Sequence, residues 1–339
     1  MNISKEQVEK IINIDMALSA AFEAFYAYGA GKVDMPPKQY LYLPKGDFRT
    51  MFGSMTLNNG KSICGTKWVN VHPENHKVGL PTVMARIILN DPETGEEICT
   101  MDGTAITNYR TGAAAAIATQ YLTNVGFGGH HEKFCIIGAG EQAFTQILAL
   151  EKMFFLSNFY VFDINQEKTK ILKERLKNFG VEITVCKDIF SAVEYADVVC
   201  TNTPSRKPVF TFDHLQLTRM PLHINAIGAD AKGKKEIETD VVKTLKVFVD
   251  DCQQASHSGE INTLTNKITD FTFGGTLGKF IYDWHTGKFI YDWHTEPCQS
   301  CQFMSLRSVR TENTMFDSTG LVIQDLALAY MVYEKYING

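Results

Sequence analysis

The chain lacks any run of about 18 apolar residues, so no membrane-spanning helix is expected. It has no block of basic residues, and its formal net charge is −5. That balance argues against a nucleic-acid partner but leaves room for a small anionic substrate held by a few local cations. Its start, MNISKEQVEK, lacks the cationic and apolar stretches of a signal peptide. Cysteine is sparse, with 8 in 339 residues, and most sit in apolar runs such as Phe134-Cys-Ile-Ile, where they read as small core residues. A reduced, cytoplasmic setting is the simplest expectation. There is no Gly-x-Ser-x-Gly elbow and no P-loop, which sets aside a serine hydrolase and a nucleotide triphosphatase.

What is present is apolar material: 45% of residues, enough to build a core without disulfides or metal. The length suggests two domains. Ser4 with Gln7 reads as a capping box, and Asp15 as the cap of a second helix ended by Gly29 and Gly31. From Lys38 to Met101, short runs such as Gln39-Tyr-Leu-Tyr-Leu and Thr82-Val-Met-Ala-Arg-Ile-Ile-Leu alternate with turn residues, predicting a mostly antiparallel sheet. An Ala-rich helix is predicted over 111–122. Six apolar strands then follow, near 134, 159, 182, 197, 223 and 246, with helical segments between several of them. That texture predicts a Rossmann-type, doubly wound parallel sheet in an α/β fold. The last helix, near 320–336, is expected to return to the first part of the chain. The division is therefore 1–115 with 316–339 as an α+β domain built from both chain ends, to which the resemblance set out below adds substrate binding and dimerisation, and 116–315 as the Rossmann domain.

Residues 278–286 and 287–295 both read GKFIYDWHT. Nine residues is 2.5 helical turns, so the two copies would face opposite sides of a single helix. His285, His294, Cys298 and Cys301 lack the spacing of a zinc finger, and no metal is expected.

The strongest local signal is Gly138-Ala-Gly140-Glu-Gln-Ala143, directly after a strand and opening a helix. Gly138 permits the tight turn, Gly140 lets backbone approach a pyrophosphate, and the helix N-terminus favours the anion. Asp163, at the end of the next strand, suits ribose hydroxyls and would repel a 2′-phosphate, so NAD is expected over NADP. Lys67 lies in an apolar strand. The pattern alone leans to a lysine on the solvated face of the sheet; a lysine facing inward would have a lowered pKa suited to proton transfer. Arg110 stands at the expected start of the Ala-rich helix, where the dipole disfavours a cation and an anionic neighbour is called for. Asp230 follows the fifth strand in a glycine-rich loop, where ligands of such sheets bind, though it also reads as a turn residue. Ser318 or Thr319 reads as the cap of the last helix.

Together these segments resemble the ornithine cyclodeaminase/mu-crystallin family, most closely its archaeal alanine dehydrogenase-type branch. The residues that carry the resemblance are Met35-Pro-Pro-Lys38, Lys45-Gly-Asp-Phe-Arg49, Gly65-Thr-Lys67-Trp-Val-Asn-Val-His-Pro, Arg110-Thr-Gly-Ala-Ala, Gly138–Ala143, His223-Ile-Asn-Ala-Ile-Gly-Ala-Asp230 and Phe316-Asp-Ser-Thr-Gly-Leu. The resemblance implies Lys67 as the catalytic or substrate-orienting residue and Asp230 as acid/base. It implies Lys38 and Arg49 on the substrate carboxylate, and Arg110 on both cofactor phosphate and substrate. It further implies that Thr82, Glu141, Gln142, Asp163, Thr203, Ile227, Gly228, Ala229, Lys234 and Ser318 line the cofactor beside Gly138 and Gly140. An NAD-dependent oxidative deamination of alanine by a homodimer is the implied activity, with a small amino or keto acid as substrate. Ornithine cyclodeamination, imine reduction and a crystallin-like binding role are the alternatives. Met51-Phe52, where the family often has Met-Pro, and segment 273–313 depart from the pattern.

Overall fold

The structure is a computed structural model that describes residues 1–125, 132–155, 159–264, 271–288 and 312–339. The chain opens with β1 (Asn2–Ile3), α1 (Lys5–Ile11) and α2 (Ile14–Gly29). Six strands follow: β2 (Val33–Asp34), β3 (Gln39–Leu43), β4 (Gly46–Thr56), β5 (Ser62–Val71), β6 (Val83–Asn90) and β7 (Glu97–Asp102). They form one sheet in the order β1-β7-β6-β5-β4-β2, with β3 also on β4. All pairs are antiparallel except β1 with β7.

The Ser4–Gln7 capping box is present. The second helix is capped by Asn13 rather than Asp15: the Asn13 side chain accepts the Met16 N–H at 3.0 Å. Asp15 falls inside the first turn, where its charge still complements the dipole.

Next come α3 (Thr104–Leu122), β8 (Phe134–Ile137), α4 (Glu141–Phe154), β9 (Phe159–Phe162), α5 (Gln166–Lys177), β10 (Ile183–Val185), α6 (Ile189–Val193) and β11 (Val198–Thr201). Then come α7 (Phe212–Leu215), β12 (His223–Ala226), α8 (Thr239–Lys243), β13 (Lys246–Val249), α9 (Cys252–Ser258), β14 (Thr272–Thr276), α10 (Leu277–Thr286), β15 (Thr314–Asp317) and α11 (Val322–Asn338). The eight strands of this part make one parallel sheet, β10-β9-β8-β11-β12-β15-β13-β14. The expected doubly wound sheet is therefore present, with two strands the sequence reading omitted. β15 carries the fully buried run Thr314-Met-Phe-Asp between β12 and β13. β14 is a glycine-containing edge strand.

α11 returns to the antiparallel sheet, as expected for the last helix. Its residues Leu321 to Ala329 are buried, in one core with α2, α3 and the inner face of β4 and β5. α3 starts seven residues earlier than the Ala-rich run suggested. Arg110 is thus well inside a buried helix, not at its solvent-facing start. Small residues make this possible: a Cβ on Gly112 would lie 2.5 Å from the Thr145 backbone of α4.

α10 is the first copy of the tandem nonapeptide. It lies on α2 at a glycine contact so close that a Cβ on Gly29 would sit 2.1 Å from the Gly278 carbonyl oxygen. Tyr282 and His285 then meet Tyr26 and Phe22 edge-on. The helix stops at Gly287, in the left-handed region at φ 70°. Gly287, the first residue of the second copy, is thus the C-cap of the helix formed by the first. Residues 289–295, with His294, Cys298 and Cys301, lie outside the described residues.

Candidate active site

Period-two alternation along β4 and β5 sets the site. Arg49, Met51 and Met55 on β4, and Ile63, Lys67 and Val69 on β5, are buried. Their neighbours Phe52 and Trp68 face outward at 45% and 48% exposure. The lean toward a solvated Lys67 is overturned. Trp68 takes the outer position, so Lys67 must point inward, where it is 1% exposed.

There Lys67 Nζ lies 2.6 Å from Asp325 Oδ2. The other oxygen, Oδ1, accepts from Arg110 Nε at 3.2 Å and from the Thr107 hydroxyl at 3.4 Å. Arg110 Nη1 also donates to Gln324 Oε1 at 3.1 Å. The anionic neighbour that Arg110 called for is thus Asp325, a side chain of α11. Neither Gln324 nor Asp325 had been singled out. The signal was available: they are the two polar residues in the buried apolar stretch Leu321–Ala329. A lone acid inside such a run demands a cationic partner.

A second group stands beside the first. Arg49 makes a two-pronged pair with Asp47, Nε–Oδ1 at 2.7 Å and Nη2–Oδ2 at 3.3 Å. Its Nη1 reaches Asp230 Oδ2 at 2.7 Å. Lys234 holds the other Asp230 oxygen at 2.6 Å. Asp230 is therefore not a mere turn residue; it joins the parallel sheet's loop to β4 of the other sheet. Lys38, 8% exposed, donates to the Thr319 carbonyl.

The electrostatics follow from this crowding. Burial lowers Lys67 to about 8, with Arg110 and Arg49 adding to the depression and Asp325 opposing it. Burial lowers Lys38 to about 7, helped by Arg49. Burial would raise the Asp230 carboxyl, but Arg49 and Lys234 outweigh it and hold it well below the ordinary carboxylate range. Burial would lower Arg49; Asp230 and Asp47 reverse that and raise it. Buried cations that depress one another's pKa values mark a place an anion would relieve.

Around this cluster lies the glycine turn. Gly138 has φ 99°, and a Cβ on it would come within 2.9 Å of the Asn202 carbonyl oxygen. Gly140 precedes α4 with no side-chain cap, and a Cβ there would meet nothing within 4 Å. Uncapped helix amides facing open space fit a dinucleotide's pyrophosphate. Asp163 follows β9 and accepts the Ala139 N–H at 2.8 Å and the Asn165 N–H at 2.7 Å. Its carboxylate is thereby fixed beside the turn.

Buried Glu236 braces the next two loops. It accepts from the Thr203 hydroxyl at 2.7 Å, the Thr201 hydroxyl at 2.8 Å and the Gly228 N–H at 2.7 Å. Asp250, at the end of β13, accepts the Thr319 N–H at 2.7 Å and its hydroxyl at 2.9 Å. Ser318 and Thr319 thus form part of this turn and do not cap α11, whose N-cap residue is Leu321. Ile227 and Ala229 are buried beside Gly228.

Three expected residues stand differently. Glu141 is exposed and spends its carboxylate on Arg175, at 2.6 and 3.1 Å. Gln142 donates to Asn108 at 3.1 Å and keeps a buried, unpartnered Oε1. Thr82 lies exposed before β6, with its carbonyl accepting the His72 N–H.

Two further carboxyls are buried under the turn. Burial first, and then Asp317, push Glu260 up to about 9, and burial pushes Asp317 up to about 7. Both keep protons in the fold at pH values where the unfolded chain has released them. The folded state then binds more protons, so stability falls as pH rises through about 9. The Glu260→Gln protein is expected to show a shallower fall in urea-unfolding free energy between about pH 5 and 9 than the wild type. Parallel pH curves would refute this.

Across residues 1–339 the chain matches the ornithine cyclodeaminase/mu-crystallin family. It is 38% identical over 336 residues to an alanine dehydrogenase of Archaeoglobus fulgidus, covering 99% of this chain and 95% of that protein. An archaeal alanine dehydrogenase dimer solved with bound NAD superposes with a TM-score of 0.83 at 38% identity, over 100% of this chain and 96% of that one. The Δ1-pyrroline-2-carboxylate reductase of Thermococcus litoralis, solved with NADH and L-proline, gives 0.84 at 28% identity, over 100% and 98%. Among the described residues no helix is long and apolar enough to cross a membrane.

Proposed function

The chain belongs to the ornithine cyclodeaminase/mu-crystallin family, and from that premise we propose that it is an NAD-dependent dehydrogenase interconverting L-alanine with pyruvate and ammonium. The balanced reaction is L-alanine + NAD⁺ + H₂O ⇌ pyruvate + NH₄⁺ + NADH + H⁺. The observation that carries the reading is Lys67: an inward lysine, buried against Asp325 and lowered to about 8, beside cations that would receive a carboxylate. Gly138, Gly140 and Asp163 would hold the cofactor, with Thr203, Gly228, Lys234 and Ser318 along its path. When bound, NAD⁺ supplies the acceptor for the hydride of the substrate α-carbon.

The protein's own residues do the rest. Arg49 and Lys38 hold the substrate carboxylate, for which a planar guanidinium fork is well shaped. Lys67, neutral near its lowered pKa, takes a proton from the substrate ammonium and releases it to solvent, then takes one from the attacking water and returns it to the departing amine. Asp230 stays ionised and positions Arg49, with Lys234 on its other oxygen. Orientation of the α-carbon supplies much of the rate. We propose two units, 1–115 with 316–339 and 116–315, with the site between them.

Cyclodeamination of ornithine needs a partner for a second ammonium. Among the described residues, the cavity beside Lys38 and Tyr40 is lined by Pro37, Gln253, Gln254, His257 and Ser258, and by no carboxylate. That supports the dehydrogenase over the cyclodeaminase. The deciding assay follows NADH with pyruvate plus ammonium, beside proline formation from ornithine with NAD⁺. Ammonium-dependent NADH loss supports the proposal; proline formation without net NADH refutes it.

We also propose a homodimer through the outer face of the antiparallel sheet, where Leu41, Phe52 and Trp68 are exposed. Contiguous exposed apolar side chains on one face suit a second copy. Trp68→Glu is expected to give a monomer by sedimentation. A dimer of unchanged affinity would count against this face.

A further inference from the structure

Two loops leave the parallel sheet beside the glycine turn, one after β11 with Thr203 and one after β12 with Gly228. In the strand order β10-β9-β8-β11-β12, Asp163 stands on the β9 side of the turn and these loops on the other. A dinucleotide laid across the carboxyl ends of the strands, with its adenosine at Asp163, brings its nicotinamide to them. The Thr203 stretch touches the turn: a Cβ on Gly138 would lie 3.2 Å from the Thr203 methyl carbon.

A single carboxylate ties the two loops together. Glu236 is buried. One of its oxygens accepts the Thr203 N–H and hydroxyl, and the other accepts the Thr201 hydroxyl and the Gly228 N–H. A Cβ on Gly228 would lie 2.4 Å from both Glu236 Oε2 and the Thr203 carbonyl oxygen, so only glycine lets the three meet. Each oxygen thus accepts one backbone N–H and one hydroxyl, the pattern of an ionised carboxylate. Burial raises the Glu236 carboxyl, and these bonds oppose the rise. Among the described residues its hydrogen-bond partners are all neutral. The lysines before it are engaged elsewhere, Lys234 with Asp230 and Lys235 with the Thr239 hydroxyl. Glu260, whose Oε1 accepts the Glu236 N–H, is pushed up to about 9 by burial and keeps its proton, so it adds no second charge. A buried charge that no counter-ion cancels is little screened by solvent.

We propose that Glu236 is a positioning residue for the nicotinamide end of the cofactor: it seats the ring through the two loops, and its charge favours the oxidised, positively charged form over the reduced one. This rests on NAD as the cofactor and not on which amino acid is the substrate.

The test measures Kd by calorimetry for NAD⁺, NADH and ADP-ribose, which lacks the nicotinamide ring. Glu236→Gln keeps the size and removes the charge. In it, Kd for NAD⁺ is expected to rise at least about fivefold more than Kd for NADH, because only the oxidised ring carries a charge for the carboxylate to stabilise. Glu236→Asp keeps the charge and shortens the reach, so NAD⁺ and NADH are expected to weaken by the same factor. ADP-ribose is expected to bind both variants as it binds the wild type. Because the NAD⁺/NADH ratio is internal to each protein, a general loss of structure does not mimic its shift. A ratio unmoved in the glutamine variant, or ADP-ribose weakened as much as the dinucleotides in either variant, overturns the inference. If the glutamine protein does not fold, the aspartate variant decides by ADP-ribose alone. A wild-type protein that binds none of the three overturns the cofactor reading and the inference with it, whereas normal binding with an unmoved ratio overturns the inference alone.

Discussion

Lys67→Met is expected to lower kcat for alanine oxidation by about 10²- to 10⁴-fold, the range over which a positioned proton-transfer group acts. NADH binding is expected to persist, because Lys67 sits on β5 of the antiparallel sheet and the glycine turn on the parallel one. Methionine keeps the length and removes the charge, so packing between β5 and α11 is retained. The wild-type rate is expected to rise with pH through about 8, where the buried lysine loses its proton. That sign follows from the role: the oxidative direction needs the neutral amine. In the variant this limb should vanish from the pH profile. Near-normal turnover, or an unchanged limb, would remove Lys67 from the mechanism.

Asp325→Ala is expected to be the most destabilising substitution in the site, by about 3–5 kcal/mol. It removes one carboxylate from two buried cations at once, Lys67 at 2.6 Å and Arg110 at 3.2 Å. Unpaired charge in a desolvated core, rather than lost contact area, sets the cost. Denaturant unfolding measures it. Asp325→Asn separates the two roles. It keeps the shape but removes the charge that raises the Lys67 pKa, so the pH–rate limb is expected to move below 8. A stability loss under about 1 kcal/mol in the alanine variant would mean the pair is solvated and of surface strength.

Much of the architecture was legible because periodicity reports burial directly. Runs such as Phe134-Cys-Ile-Ile and Val247-Phe-Val are apolar throughout, as strands covered on both faces must be. β14 escaped because Phe273-Gly-Gly has no such pattern. β15 escaped because its motif, Phe316-Asp-Ser-Thr-Gly, looked like a helix entry. The cap at Asn13 rather than Asp15 shows how two good capping residues in one segment compete, with the hydrogen bond deciding.

The site itself divides along a clearer line. The glycine turn and Asp163 are local: a strand, a turn and a helix within one stretch of chain place them, so the sequence alone located them. So did the cations Lys38, Arg49, Lys67 and Arg110 as candidates. Which way Lys67 faces, and what Arg110 and Asp230 pair with, depended on contacts across the chain. Lys67 meets Asp325 across 258 positions, and Arg49 meets Asp230 across 181. No spacing rule reaches that far. The sequence by itself determined the parallel sheet, the glycine turn and the inventory of charges. Only the tertiary structure decided the pairing of those charges, because a buried ion is stable only where packing brings its counter-ion, and that packing is set by α11 returning to the first sheet.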